Sequence, residues 1–347
     1  MLALNRLLDF IKEHALFLPE ERVLLAVSGG RDSVLMAHLF KAAGFNFGIA
    51  HCNFNMRAEE SADDETFTSA LAAELDVPFF ATHFDTREYA SMHHISIQMA
   101  ARDLRYQWLE EIRNDFGFQY IGLAHHQNDV METMLLNLTR GTGISGMHGI
   151  LPKNNKLIRP LLFLTRNEIT DIFNQTALSY REDSSNLSTK YARNKIRLEV
   201  IPVLKKLNPG LEQTFEANRK RFAELEIIYE QRIAQLHSEL FRMINEDEYE
   251  IDLPNLQQLN PLGTLLYGLF HPFGFTEAVL HNLSESWGGR PGKVFNSSTH
   301  QIILDRKQII LSKIKQQQPA EMNIEVSSSQ ISWNGQKFGV RIIPVNE

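Results

Sequence analysis

A single cysteine, Cys52, stands in 347 residues. That excludes an internal disulfide framework and a cysteine-built zinc site, and it fits a reducing, cytosolic location. No apolar run approaches the ~20 residues of a membrane span. Residues 1–12 carry apolar side chains at helical spacing around Asp9 and do not form a signal peptide. No membrane partner is expected. Basic excess is missing as well: 35 Lys+Arg face 42 Asp+Glu, a net charge of −7. A uniformly basic nucleic-acid binder is excluded; a local basic patch is not.

A further absence sharpens the first motif. The apolar run 23–27 ends in Ser28-Gly29-Gly30-Arg31-Asp32-Ser33 and passes straight into an amphipathic stretch. Strand, tight turn and helix start would aim backbone N–H groups and the positive end of a helix dipole at one point, a site for a phosphate chain. No Lys-Ser/Thr follows the glycines, so this is not a Walker A loop, and no Gly-x-Gly-x-x-Gly is present for a dinucleotide. Ser-Gly-Gly-x-Asp-Ser after an apolar strand resembles the loop of ATP pyrophosphatases, which cleave ATP between its α- and β-phosphates. An ordinary strand-to-helix turn is the alternative reading.

Apolar runs at 23–27, 45–50, 77–82 and 120–124 alternate with helix-period segments at 33–43, 60–75 and 97–113. This predicts an α/β fold with a Rossmann-like parallel sheet covered by helices on both faces. Ligands of such sheets sit at the carboxyl ends of strands. Three motif-bearing segments, starting at Ser28, His51 and His125, should therefore converge. Beyond the break at Asn208-Pro209-Gly210, the residues Phe222, Leu225, Tyr229, Ile233, Leu236, Leu240 and Met243 recur at helical steps and predict one long helix. Residues 254–287 read as interrupted helix, 290–311 as short strands, and 323–345 as strand-like alternation. The expected division is a catalytic domain over 1–207, a helical linker with a small α+β C-terminal domain over 208–315, and a strand-rich tail over 316–347.

The second motif is 124–133, Ala-His-His-Gln-Asn-Asp-Val-Met-Glu-Thr. With a helix from Gln127 onward, His125, Asp129 and Glu132 share one face at steps of four and three. Such carboxylates can hold Mg²⁺, bind an ammonium or take a proton from an attacking amine; a polar helix start with a capping role is the alternative. In the third motif, 51–57, Arg57 could reach a phosphate while His51 and Asn53 line a nucleotide pocket. In a fourth, Arg102 and Arg105 lie three apart, one turned toward the α-phosphate. Residues 190–206 carry six basic side chains (Lys190, Arg193, Lys195, Arg197, Lys205, Lys206) against Glu199, either a solvated helix face or a nucleic-acid contact.

Together these segments resemble the tRNA(Ile)-lysidine synthetase family of the PP-loop superfamily. The resemblance is dense over about residues 20–205, including 140–149, 181–186 and 193–197, and looser over 288–305. It implies that ATP adenylates the C2 oxygen of a cytidine in the CAU anticodon of tRNA(Ile), releasing pyrophosphate. The ε-amine of free L-lysine then attacks C2, expels AMP and leaves lysidine. It implies ATP contacts at Ser28, Gly29, Gly30, Arg31, Asp32, Ser33, His51, Asn53 and Arg57, with Asp32 also at Mg²⁺. It places Arg102 at the α-phosphate, and His125, Asp129 and Glu132 around the lysine and the cytosine. Arg140, Lys190, Arg193, Lys195 and Arg197 become tRNA contacts. A homodimer is a form to test.

Two departures stand out. Asn128 occupies a position where many relatives have a second Asp, and Gln98 one where Glu is common. No basic segment follows Lys315, although many relatives carry a second tRNA-gripping domain there. The rival enzyme, a tRNA thiolation enzyme with the same loop, usually needs paired cysteines. Ammonia-using relatives share the loop without the 125–143 motif. A non-catalytic nucleotide- or tRNA-binding module is the remaining alternative.

Overall fold

The computed structural model describes residues 2–56, 58–182, 192–314, 330–333 and 336–339. The chain divides into two units, Met1–Ile228 and Tyr229–Glu347.

In the first unit the order is α1 (Leu2–Glu13), β1 (Val23–Ala26), α2 (Arg31–Ala42), β2 (Phe47–Asn53), α3 (Ala58–Glu74), β3 (Phe79–His83), α4 (Thr86–Met92), α5 (Ile97–Asp115), β4 (Tyr120–Gly122), α6 (Gln127–Arg140), α7 (Ile144–Met147), β5 (Lys153–Asn154), β6 (Leu157–Ile158) and α8 (Arg166–Asn174). The sheet runs β3-β2-β1-β4-β6-β5. Its first five strands are parallel, with Val23 in register with Phe47 on one side and Tyr120 on the other, and only β5 is antiparallel. Apolar residues on both faces of β1 explain its unbroken hydrophobic run. Val23, Leu25 and Val27 enter a large core with Leu7, Phe40, Ile158 and Phe173. Leu24 points the other way, into a smaller core with Leu109, Phe118 and Ile121.

Strand order reverses at β1, which is flanked by β2 and β4. A crevice beyond the carboxyl ends of such neighbouring strands is the natural place for a ligand. Beyond α8, helical turns cover 192–207, with a π-helical segment at Ile196–Val200, and the helix Leu211–Leu240 follows.

The second unit has its own sheet, β7 (Phe241–Asn245), β8 (Glu248–Asp252), β9 (Lys293–Asn296), β10 (His300–Leu304) and β11 (Gln308–Lys313), antiparallel in the order β7-β8-β11-β10-β9. Helices Leu253–Gln257, Leu262–Phe270 and Glu277–Ser284 pack their apolar sides on it. One expectation is corrected here. Met243 continues the helical spacing of 222–240, but the helix stops at Leu240 and Met243 lies in β7. Phe241 there pairs with Ile251 of β8, so a sheet contact distant in sequence overrides local periodicity. Of the expected tail strands, Gln330–Trp333 and Gln336–Gly339 form a two-stranded pair; the remainder of 316–347 lies outside the described residues.

Candidate active site

The turn after β1 is shaped by Gly29, whose φ of +86° is left-handed backbone that side chains resist. Gly30 caps α2 in extended conformation without a side-chain cap, so among the described residues the first N–H groups of that helix have no side-chain acceptor from the cap. Ser33 folds back: its hydroxyl donates to Gly30 O (2.8 Å) and accepts from Ser28 N (3.2 Å). From outside, Arg181 N–H donates to Gly29 O (2.9 Å) while its guanidinium holds Asp63 and Asp64.

Asp32 stands on the first turn of α2. Its Oδ1 is buried with no hydrogen-bond partner among the described residues. Burial raises its pKa and Asp129 adds to this, against the pull of His126. His126, fully buried, lies between the two carboxylates, with Nε2 3.6 Å from Asp32 and Nδ1 3.4 Å from Asp129.

The helix expected from Gln127 onward is present. The helix starts at Gln127, with His126 as its extended N-cap, and Asp129 at N3 accepts from His126 N–H (2.9 Å). That turn brings Asp129 and Glu132 inward together. Burial opposes charge on Asp129, yet His126, His125, Arg193 and the His126 N–H hold its carboxyl well below the usual range. His125, just outside the helix, is driven the opposite way. Burial lowers its pKa to about 4, Asp129 opposing and Arg159, Arg193 and Arg105 reinforcing, so it is neutral at pH 7.

Arg193 and Arg197, four residues apart, present one helical face to these carboxylates. Arg193 donates to Glu132 (2.8 Å) and Asp129 (3.0 Å); Arg197 donates twice to Glu132, at 2.5 and 2.9 Å. The basic run therefore spends two of its charges inside the site. Lys195 stays exposed beside Glu199 at 4.0 Å.

Other expected residues are placed differently. Arg31 turns from the loop to Thr170 (3.0 Å) and the Tyr180 ring. His51 Nδ1 donates to Val27 O (3.0 Å), and Asn53 binds Ser61 O, Glu65 and Asn55 N–H, so both brace the ends of β1 and β2. Arg102 is exposed and lies 4.9 Å from the Tyr106 ring centre. Arg140 is exposed at the far end of α6, away from the carboxylates at its start. Arg57 and Lys190 lie outside the described residues.

Three participants were missed in the sequence. His126 is one, because helical spacing from Asp129 and Glu132 selects His125 and gives no weight to the N-cap residue, whose ring lies between Asp32 and Asp129. Arg166 is largely buried, and its pKa is lowered first by burial and next by the Arg197 charge, with Glu132, Asp129 and Asp32 opposing. Glu212, buried at the start of the long helix, accepts from Asn128 Nδ2 (3.3 Å) and pairs with Lys205. Asn128 also accepts from Arg166 N–H through Oδ1 (2.8 Å). A carboxylate at 128 would face the carboxylate of Glu212; the amide supplies the donor that position needs.

No group of three or more His, Cys, Asp and Glu suited to a metal occurs among the described residues. The orphan Asp32 oxygen fits Mg²⁺, which commonly takes one or two carboxylates and completes its shell with water and phosphate oxygens.

A nucleotide loop at the switch point of a parallel sheet, with a charged cluster on the next strand end, defines an α/β protein of the PP-loop class. The PP-loop domain family model matches residues 3–204 and the TilS substrate binding domain matches 244–314. A tRNA(Ile)-lysidine synthase of Bacteroides thetaiotaomicron is 38 % identical over 90 % of this chain and 72 % of its own length. One of Porphyromonas gingivalis is 36 % identical over 95 % of this chain and 74 % of its own. The chain belongs to the tRNA(Ile)-lysidine synthase family. In fold it also resembles a U34-tRNA thiolase, NcsA, of Methanococcus maripaludis, with TM-score 0.51 and 18 % identity over 63 % of this chain and 79 % of that one.

Proposed function

We propose that the protein uses ATP to join free L-lysine to C2 of the CAU-anticodon cytidine of tRNA(Ile), through an adenylated cytidine. The observation that carries this reading is the junction of the loop and the charged cluster: buried His126 lies within 3.6 Å of Asp32 on one side and 3.4 Å of Asp129 on the other. Nucleotide and amine chemistry thus have adjoining seats. The thiolase alternative is not favoured, since Cys52 is alone and burial pushes its thiol up to about 12.

In the first step the N–H groups around Ser28, Gly29, Gly30 and Ser33 bind the phosphates, and Arg102 stabilises charge on the α-phosphate. Mg²⁺, held by Asp32, would neutralise the departing pyrophosphate. The cytidine O2 forms a bond to phosphorus as the α–β bridge breaks. In the second step the lysine nitrogen bonds to C2 and AMP departs. Attack needs the neutral amine. Asp129, held ionised, orients it, and the nearby charges of Arg193 and Arg197 disfavour a further cation. Neutral His125 accepts a hydrogen bond from the amine and then the proton shed as the N–C bond forms. Exposed Arg140 and Lys195, with the second unit, are proposed tRNA contacts.

The test incubates the protein with unmodified tRNA(Ile), Mg·ATP and radiolabelled lysine and scores label in the RNA. Lysine-specific, ATP-dependent labelling is expected, and Asp32→Ala should abolish both label and pyrophosphate release. Pyrophosphate without label would assign a different nucleophile. Normal labelling by Asp32→Ala would overturn the site.

A further inference from the structure

Arg102, Arg105 and Arg159, near this site, have no carboxylate partner among the described residues. Arg102 and Arg105 of α5 approach the ring of Tyr106 at 4.9 and 5.1 Å. Arg159, directly after β6, is only 8 % exposed. Its Nη1 donates to Leu151 O (3.1 Å), but its Nε is buried without a partner among the described residues, as is the Nε of Arg105. Burial pushes the Arg159 guanidinium below its ordinary value, with Tyr106 opposing and the Arg102 charge reinforcing, and both Arg105 and Arg159 bear on His125. A buried cation with an unused donor is costly unless an anion answers it.

The position of the pair selects among anions. The nucleotide loop follows β1, whereas Arg159 follows β6, two strands along the sheet. At the usual strand spacing this is about 10 Å away. His125 and Asp129 follow β4, between the two. A flexible amino acid can rest its amine at Asp129 and its carboxylate at the arginines. A guanidinium fork matches a carboxylate with two parallel bonds. A phosphodiester within an RNA strand is bulkier and suits an exposed arginine better than one buried to this depth.

We infer that Arg105 and Arg159 form the subsite for the α-carboxylate of the amino-acid substrate. This rests on the proposed lysine-transfer reading and assigns how lysine is told from other amines. Cadaverine, which is lysine without its carboxylate, is the probe. Binding of labelled lysine and labelled cadaverine is measured by equilibrium dialysis on the full chain, with unmodified tRNA(Ile) and a non-hydrolysable ATP analogue present. Wild-type protein should prefer lysine by about ten- to a hundredfold. Arg159→Gln should bring that ratio close to one. Arg159→Lys, which keeps charge without the fork, should fall between. Arg105→Gln, at a half-buried position, repeats the test where folding is safer and should lower the ratio at least threefold, a rough figure for one charged hydrogen bond. Equal weakening of both amines, an unchanged ratio in both Gln variants, or a wild type without lysine preference would overturn the subsite. Lysidine formation, scored separately, tests the reading beneath it, so a protein that binds lysine selectively but transfers nothing fails only the latter.

Discussion

Glu132 is 1 % exposed as a side chain and receives two guanidiniums. Cutting it back would deprive Arg197, 17 % exposed, of its two hydrogen bonds and leave Arg193 with Asp129 alone. Glu132→Ala is therefore expected to lose about 3–5 kcal/mol of stability in urea unfolding, besides any effect on lysine use. Asn128 makes a second residue-scale case. Asn128→Asp sets a carboxylate on Glu212 and should cost about 1–3 kcal/mol. Glu212→Gln in the same chain should restore most of it. A double-mutant cycle with no coupling would show that the 3.3 Å contact carries no weight.

At the scale of elements, the turn between β1 and α2 is sensitive to a single methyl group. Gly29→Ala forces a side chain to φ +86° and should cost roughly 1–2 kcal/mol in stability, with KM for ATP raised as the loop shifts. A wild-type KM would mean that this turn does not hold the phosphates. Strand β1 was legible because it is apolar on both faces, as Val23, Leu24 and Leu25 show. The pair at 153–158 was not, since two-residue strands leave no period to read. The strand start at Phe241 was hidden for the reason Met243 shows: apolar spacing of three and four does not mark where a helix yields to a sheet. Of the site, the loop and the acidic positions on α6 were readable from spacing. The inward turn of Arg193 and Arg197 was not, although their step of four complements the step of three between Asp129 and Glu132. Arg159 and Arg166 carried no signal, because an arginine's burial depends on tertiary packing.

At the scale of the whole molecule, acid acts through several buried imidazoles at once. Burial lowers the pKa of His14, His38, His51 and His125, the last to about 4. The unfolded chain takes up protons near pH 6.5 while the folded chain refuses them, so their stabilising contribution is complete above that pH and is lost as pH falls toward 4. Tm should drop between pH 7 and about pH 5, and His125→Gln should lessen the drop. No helix among the described residues is long and apolar enough to cross a membrane. The two units also keep separate apolar interiors, one built around Phe40 and Phe173, the other around Phe270 and Leu311. Two separate interiors are expected to melt as two events. Scanning calorimetry should record heat absorption in two overlapping peaks, each with its own enthalpy, and the van't Hoff enthalpy of the whole trace should fall short of the calorimetric one. A nucleotide that binds the loop after β1 would move the peak of its own unit, so the thermogram identifies which half of the chain a ligand has chosen.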